Sequence, residues 1–343
     1  MRFSTWSLII ALVFGCGGSS SSGAETIRIL APDFLVEEAV ELLDRYPGLG
    51  FVTYSNVREM VDRIADCRAV IGWNVTAEAL RAAPKLRWVH SLSGGVDRML
   101  RIPDLRDNPD IALTSMKIQK GPEMADHAMA LLLALTRNLP QFIRNRDSGK
   151  WKNNSKLPII ELRGKTMLII GMGGCGTQVA ERAHASGMRV IGTDPKDIPF
   201  MGAVDYIGKS DELHGLLPEA DVVVSCVPST PETKGLLDAE AFKRMKTGVY
   251  LINVSRGSVV KTSALIDSLR SGKVRAAGLD VVDPEPLPDD HPLWSMPNVI
   301  ITPHFAGLSD GRVERQRSLV LDNIDRFIRG LPLKNVINKQ RGY

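Results

Sequence analysis

Gly171-Met172-Gly173-Gly174-Cys175-Gly176 constrains this chain more than any other stretch, because it sets a G-x-G-x-x-G between two segments of different periodicity. Before it, Thr166-Met167-Leu168-Ile169-Ile170 is a continuous apolar run, the pattern of a parallel strand buried on both faces. After it, Val179, Ala180 and Ala183 recur at helical spacing. Glycines in such a turn let the backbone approach a pyrophosphate, and the free N–H groups opening the helix favour its charge. Asp194 then ends the next apolar run, where a carboxylate accepts hydrogen bonds from ribose hydroxyls. That carboxylate repels a 2′-phosphate, and no arginine follows within the next few residues, so the pattern predicts NAD(H) rather than NADP(H).

The glycine turn sits within a longer alternation of strand-like and helical segments, the signature of parallel sheets covered by helices. Ile27-Arg28-Ile29-Leu30, Phe51-Val52-Thr53-Tyr54, Ala69-Val70-Ile71-Gly72 and Trp88-Val89-His90-Ser91 read as strands of a first unit. A long apolar helix follows between Ala125 and Arg137, with Pro122 and Glu123 suited to its first turn. Strands then recur at Thr166–Ile170, Arg189–Gly192, Val222–Ser225, Val249–Ile252 and Ala276–Leu279. After Ile300-Ile301 a last helix is expected from about Ser309 to Arg329.

The 343 residues are enough for two packed cores with a cleft between them. A net charge of +4, with no dense basic stretch, argues against a nucleic-acid partner. Cys67, Cys175 and Cys226 show no C-x-x-C and no paired histidine spacing, so neither a metal site nor a disulfide framework is expected. Small buried residues are their expected role.

Residues 1–24 read as separate from the fold. Arg2 precedes an apolar run from Trp6 to Phe14, too short to span a bilayer and of signal-peptide length. Cys16 then precedes a Gly/Ser tether, a pattern that resembles the lipobox of bacterial lipoproteins. The segment fits a lipid anchor at Cys16 in the cell envelope, or a cytoplasmic chain with an uncleaved apolar start.

Three later segments resemble the signatures of the D-isomer-specific 2-hydroxyacid dehydrogenases. They are Asn253-Val254-Ser255-Arg256-Gly257, Gly278 through Pro286, and Ile301-Thr302-Pro303-His304-Phe305-Ala306-Gly307. The likeness runs from about Ile27 to Val336 and includes Ser91 through Asp97 and Asp126 through Leu132. It implies an α/β fold of two Rossmann-like domains, the nucleotide-binding domain inserted into a smaller flavodoxin-like substrate domain. Residues 25–124 and 309–343 would form the substrate domain, and residues 125–308 the NAD-binding domain.

The resemblance also implies roles. Arg256 holds the substrate carboxylate with a planar, permanently charged fork. His304 is the acid for a developing alkoxide, and Glu285 pairs with it to stabilise imidazolium. Backbone N–H groups of Gly94, Gly95 and Val96 face the substrate carboxylate. Cys226, Val227 and Pro228 line the cofactor, Val254, Ser255 and Asp280 lie near the nicotinamide, and Ala306 and Gly307 close over it. The activity implied interconverts a small 2-oxo acid and its D-2-hydroxy acid, glyoxylate or hydroxypyruvate reduction being favoured, in a homodimer. Glu285 argues against formate dehydrogenases, which pair the histidine with glutamine. The short stretch after the last helix argues against a phosphoglycerate dehydrogenase with a regulatory domain. A non-catalytic NAD(H)-binding regulator of this fold remains the alternative, although Arg256, Glu285 and His304 together argue for turnover.

Overall fold

A computed structural model describes residues 26–151 and 158–343. The N-terminal segment, with the expected lipidation at Cys16, lies outside the described residues. The first sheet contains β1 (Ile27–Pro32), β2 (Leu49–Tyr54), β3 (Ala69–Gly72), β4 (Trp88–Ser91) and β5 (Ala112–Ser115). All pairings are parallel, in the order β2-β1-β3-β4-β5. Alternation along β1 explains the two layers around it. Ile29 and Ala31 face one core with Trp88, Val320 and Ile324, whereas Leu30 faces another with Val70, Val89 and Leu113. Val320 and Ile324 belong to the last helix, Arg312–Ile328, so the chain returns to the first sheet after leaving it.

The second sheet is formed by β6 (Thr166–Ile170), β7 (Arg189–Thr193), β8 (Tyr206–Gly208), β9 (Val222–Ser225), β10 (Val249–Asn253), β11 (Val274–Leu279) and β12 (Val299–Ile301). Its order is β12-β11-β10-β9-β6-β7-β8, parallel throughout. Met167 and Ile169 face the layer that contains Ala125, Ala128, Leu131 and Leu132 of the helix Gly121–Thr136, whereas Leu168 and Ile170 face the opposite core. That apolar helix therefore covers one face of the second sheet. The order reverses between β6 and β9, a switch point where open α/β sheets bind ligands beyond the carboxyl ends of their strands.

β5 and β8 were not expected from the sequence, and neither was the helix Leu139–Asp147. β8 is a three-residue edge strand whose Tyr206 is exposed, too short for an alternation to register. The helix Gly121–Thr136 begins with the Gly-Pro pair, a turn before Ala125. Its opening beside Lys120 brings that lysine into the cleft.

Candidate active site

The glycine turn occupies the switch point. Gly171 follows β6 at φ +92°, a conformation that excludes ordinary side chains, and it packs against the Cys226 backbone after β9. A Cβ at Gly176 would strike the Gly171 carbonyl, so the helix Gly174–Ala185 can pack this closely only without one. Gly173 has open space around it, which leaves the helix start accessible to an anion. Asp194 at the end of β7 accepts from the Met172 N–H with one carboxylate oxygen and from the Lys196 N–H with the other, both at 2.9 Å. It therefore ties the glycine turn to the adjacent strand end.

Asp280, just beyond β11, organises a second loop. Its carbonyl accepts the His304 N–H at 2.9 Å, while its buried carboxylate accepts from the Phe305 and Ala306 N–H groups at 2.8 and 3.0 Å. The Thr302 hydroxyl donates to the same carboxylate at 2.6 Å and meets His127 Nε2 at 2.9 Å. That chain of contacts links the loop to the helix Gly121–Thr136. His304 adopts φ +58° and sets its Nδ1 3.1 Å from Glu285 Oε1 and 3.3 Å from Oε2. The imidazole is 45% exposed, which leaves it open to a bound molecule.

Arg256 projects from the end of β10. Its Nε donates to Asp97 Oδ1 at 3.2 Å and one terminal nitrogen donates to the Ser255 carbonyl at 2.8 Å. The other terminal nitrogen lies over Gly95, where a Cβ would collide with it. Ser255 is itself fixed by Asn253 Oδ1 at 2.7 Å and by the Ser225 hydroxyl at 2.7 Å. Two anchors thus hold the guanidinium over Gly95 with one edge free.

A single cleft of about 1450 Å³ is lined by Arg256, Glu285 and His304 together with Gly94, Gly95 and Val96. The same cleft is lined by Gly171, Gly173, Gly174, Cys175, Asp194, Cys226, Val227, Pro228, Val254, Ser255, Asp280, Ala306 and Gly307. Met172 and Gly176 do not line it. The Met172 side chain is buried beneath the second sheet, and Gly176 packs behind the turn.

Sequence reasoning missed Asp97, Lys120 and the segment from Gln340 to Tyr343, all of which line the cleft. Lys120 caps the helix Gly121–Thr136, and its chain passes Gly94 and Gly307, close to where Cβ atoms on each would stand. A cation at a helix N-terminus opposes the dipole, a signal that could have marked it. Burial, followed by the Arg312 charge, lowers its pKa, Glu123 opposes that shift, and Arg256 adds to it. Asp97 is taken by Arg256, Glu285 by His304 and Glu123 by Arg315. Among the described residues no acid stands at ion-pair distance from Lys120.

Residues 129–306 match the model of the D-isomer specific 2-hydroxyacid dehydrogenase NAD binding domain. The chain belongs to this family. It is 34% identical over 292 residues to a glyoxylate reductase of Korarchaeum cryptofilum, covering 82% of this chain and 86% of that protein. It is also 31% identical over 318 residues to a D-3-phosphoglycerate dehydrogenase of Methanocaldococcus jannaschii. That match covers 91% of this chain but 59% of the relative's length. Among solved structures it is similar to an NADPH-dependent glyoxylate/hydroxypyruvate reductase of Sinorhizobium meliloti in complex with NADP and sulfate. The TM-score is 0.78 at 28% identity, covering 92% of this chain and 100% of that one. The family fold of two Rossmann-like domains agrees with the two parallel sheets, and a dinucleotide seat agrees with the glycine turn at their switch point.

Proposed function

We propose that this chain reduces a small 2-oxo acid to the D-2-hydroxy acid with NADH, glyoxylate and hydroxypyruvate being the favoured class. The observation that carries the reading is the convergence, in one cleft, of the Arg256 edge over Gly95, the His304–Glu285 pair and the glycine turn. Gly171 to Gly176 and Asp194 fit a dinucleotide, since the turn has space at Gly173 and a carboxylate on the neighbouring strand end. NADH, when bound, supplies the hydride for the carbonyl carbon.

The rest of the chemistry falls to the protein. Arg256, oriented by Asp97 and the Ser255 carbonyl, holds the substrate carboxylate in plane against the Gly94–Val96 N–H groups. Protonated His304 gives its proton to the carbonyl oxygen, and Glu285 stabilises the imidazolium before that transfer. Charge counting favours a further partner. Asp97 offsets Arg256 and Glu285 offsets His304, whereas Lys120, whose chain passes Gly94 and Gly307, stands within the cleft as a further cation for the incoming carboxylate.

The Asp194 carboxylate supports NADH over NADPH by repulsion of a 2′-phosphate. The experiment is NADH and NADPH oxidation against glyoxylate, hydroxypyruvate and 3-phosphohydroxypyruvate. Turnover of the first two with an NADH preference of at least about tenfold is expected. NADH binding without turnover of any 2-oxo acid would replace this reading with a non-catalytic NAD(H)-binding protein. Equal efficiency with both cofactors would overturn the role of Asp194.

A further inference from the structure

Cys175 and Cys226 are 51 positions apart, yet their sulfurs lie 3.5 Å from each other at the cleft wall. Cys175 stands in the first turn of the helix Gly174–Ala185, beside N–H groups that attract anions. Cys226 directly follows β9, and its N–H donates to the Ile170 carbonyl at 2.8 Å, which fixes it to the end of β6. The pair therefore spans the switch point, with Cys175 inside the glycine turn and Cys226 at the end of β9.

We propose that Cys175 and Cys226 form a redox-modification site, oxidised to a disulfide by a peroxide, and that this bond weakens dinucleotide binding. Hydrogen peroxide first oxidises Cys175, as the thiolate, to a sulfenic acid, and the hydroxide released takes up the proton that the thiol lost on ionising and leaves as water. The Cys226 sulfur then attacks the sulfenic sulfur. The S–S bond forms as the S–OH bond breaks, and the Cys226 proton leaves with the hydroxide as a second water. Two thiols supply two electrons, and the peroxide accepts them. Hydrogen bonding with Cys175 and burial push the Cys226 thiol up, which suits it to the second step rather than the first.

A disulfide is about 2.05 Å long, so the sulfurs must close by roughly 1.5 Å from 3.5 Å. Cys226 is held by β6 and by the Gly171 packing against its backbone, and Gly174 and Gly176 are packed against Ile118, Gly121 and Gly171, so closing the bond strains the helix start. Its N–H groups are those the cofactor reading assigns to the pyrophosphate, so this consequence rests on that reading. Bound NADH should in turn disfavour the disulfide at equilibrium, since linkage is reciprocal.

The test treats the full chain with hydrogen peroxide, then measures intact mass, cross-linked peptides and NADH affinity, with and without dithiothreitol. Expected are a loss of about 2 Da, a Cys175–Cys226 peptide and NADH affinity weakened at least about tenfold, restored by the dithiol. Cys175→Ser and Cys226→Ser, each compared with itself before and after peroxide, should lose the shift. Cys67 serves as internal control, because it is buried and its thiol is pushed up to about 11 by burial. Oxidation without the cross-link, or a cross-link that leaves NADH affinity unchanged, overturns the proposal. A reduced parent that bound no NADH would overturn the cofactor reading instead, and peptide mapping would still decide whether the disulfide forms.

Discussion

The Asp280 carbonyl accepts the His304 N–H at 2.9 Å, while the Asp280 carboxylate takes the next two backbone N–H groups. One buried residue thus fixes a histidine at φ +58°, a left-handed conformation that costs on the order of 1 kcal/mol. The surrounding bonds hold His304 there, with its Nδ1 facing Glu285. In the proposed chemistry Asp280 would therefore act through backbone geometry.

Asp280→Asn should show this. An amide group cannot accept on its nitrogen, so one of the loop N–H groups loses its partner in a buried setting, at about 1–3 kcal/mol. The expected outcome is a Tm lowered by roughly 2–6 °C together with a kcat lowered about tenfold or more. A variant that melted earlier but kept the parent kcat would show that the loop presents His304 without the carboxylate.

Lys120→Met should raise KM for a 2-oxo acid by roughly tenfold to a hundredfold, the loss of one charge-assisted contact. NADH affinity should change little, and Lys120→Arg should keep most of the parent KM. Steady-state kinetics at saturating NADH give the answer. An unchanged KM in the methionine variant would remove Lys120 from the substrate site.

The strands and the residues at their carboxyl ends were legible because each sits in a local pattern. Buried parallel strands print as apolar runs, and Gly171, Asp194, Arg256 and His304 stand at or close after the ends of such runs. Asp97 and Tyr343 were not legible, since their place in the cleft depends on how segments far apart in sequence approach one another, and Lys120 carried only the weak mark of a cation at a helix start. Cys175 and Cys226 read as unrelated small residues for the same reason.

His90 on β4 offers a stability test. It is fully buried, its Nδ1 lies 2.7 Å from the Thr114 hydroxyl, its Nε2 has no partner, and burial lowers its pKa to about 3. The unfolded chain takes up a proton on this histidine as pH falls through about 6.5, whereas the folded chain does so only near 3. Its contribution is thus fully present above about pH 6.5 and shrinks towards pH 3, at no more than about 1.4 kcal/mol per pH unit. Between pH 7 and pH 5 the parent Tm should fall further than that of His90→Leu. Parallel melting profiles would show that His90 carries no such penalty.

Arg256→Lys tests the centre of the proposed chemistry, and the geometry says why a conserved charge is insufficient. The guanidinium meets three demands together: Nε faces Asp97 at 3.2 Å, one terminal nitrogen holds the Ser255 carbonyl at 2.8 Å, and the other lies over Gly95. A lysine ammonium is a single point on a flexible stem, so it can satisfy Asp97 or the substrate but cannot orient a carboxylate in plane. Adding water between ammonium and carboxylate would keep attraction while losing the angle at which the carbonyl faces His304. The expected loss in kcat/KM is about 2–4 kcal/mol, or thirtyfold to a thousandfold, with NADH affinity near the parent value because the glycine turn and Asp194 are untouched. Measuring kcat/KM for hydroxypyruvate beside the NADH dissociation constant separates the two effects. If Arg256→Lys stayed within a factor of a few of the parent, Arg256 would be a structural partner of Asp97 and the carboxylate would have to be held elsewhere, with Lys120 the next cation in the cleft.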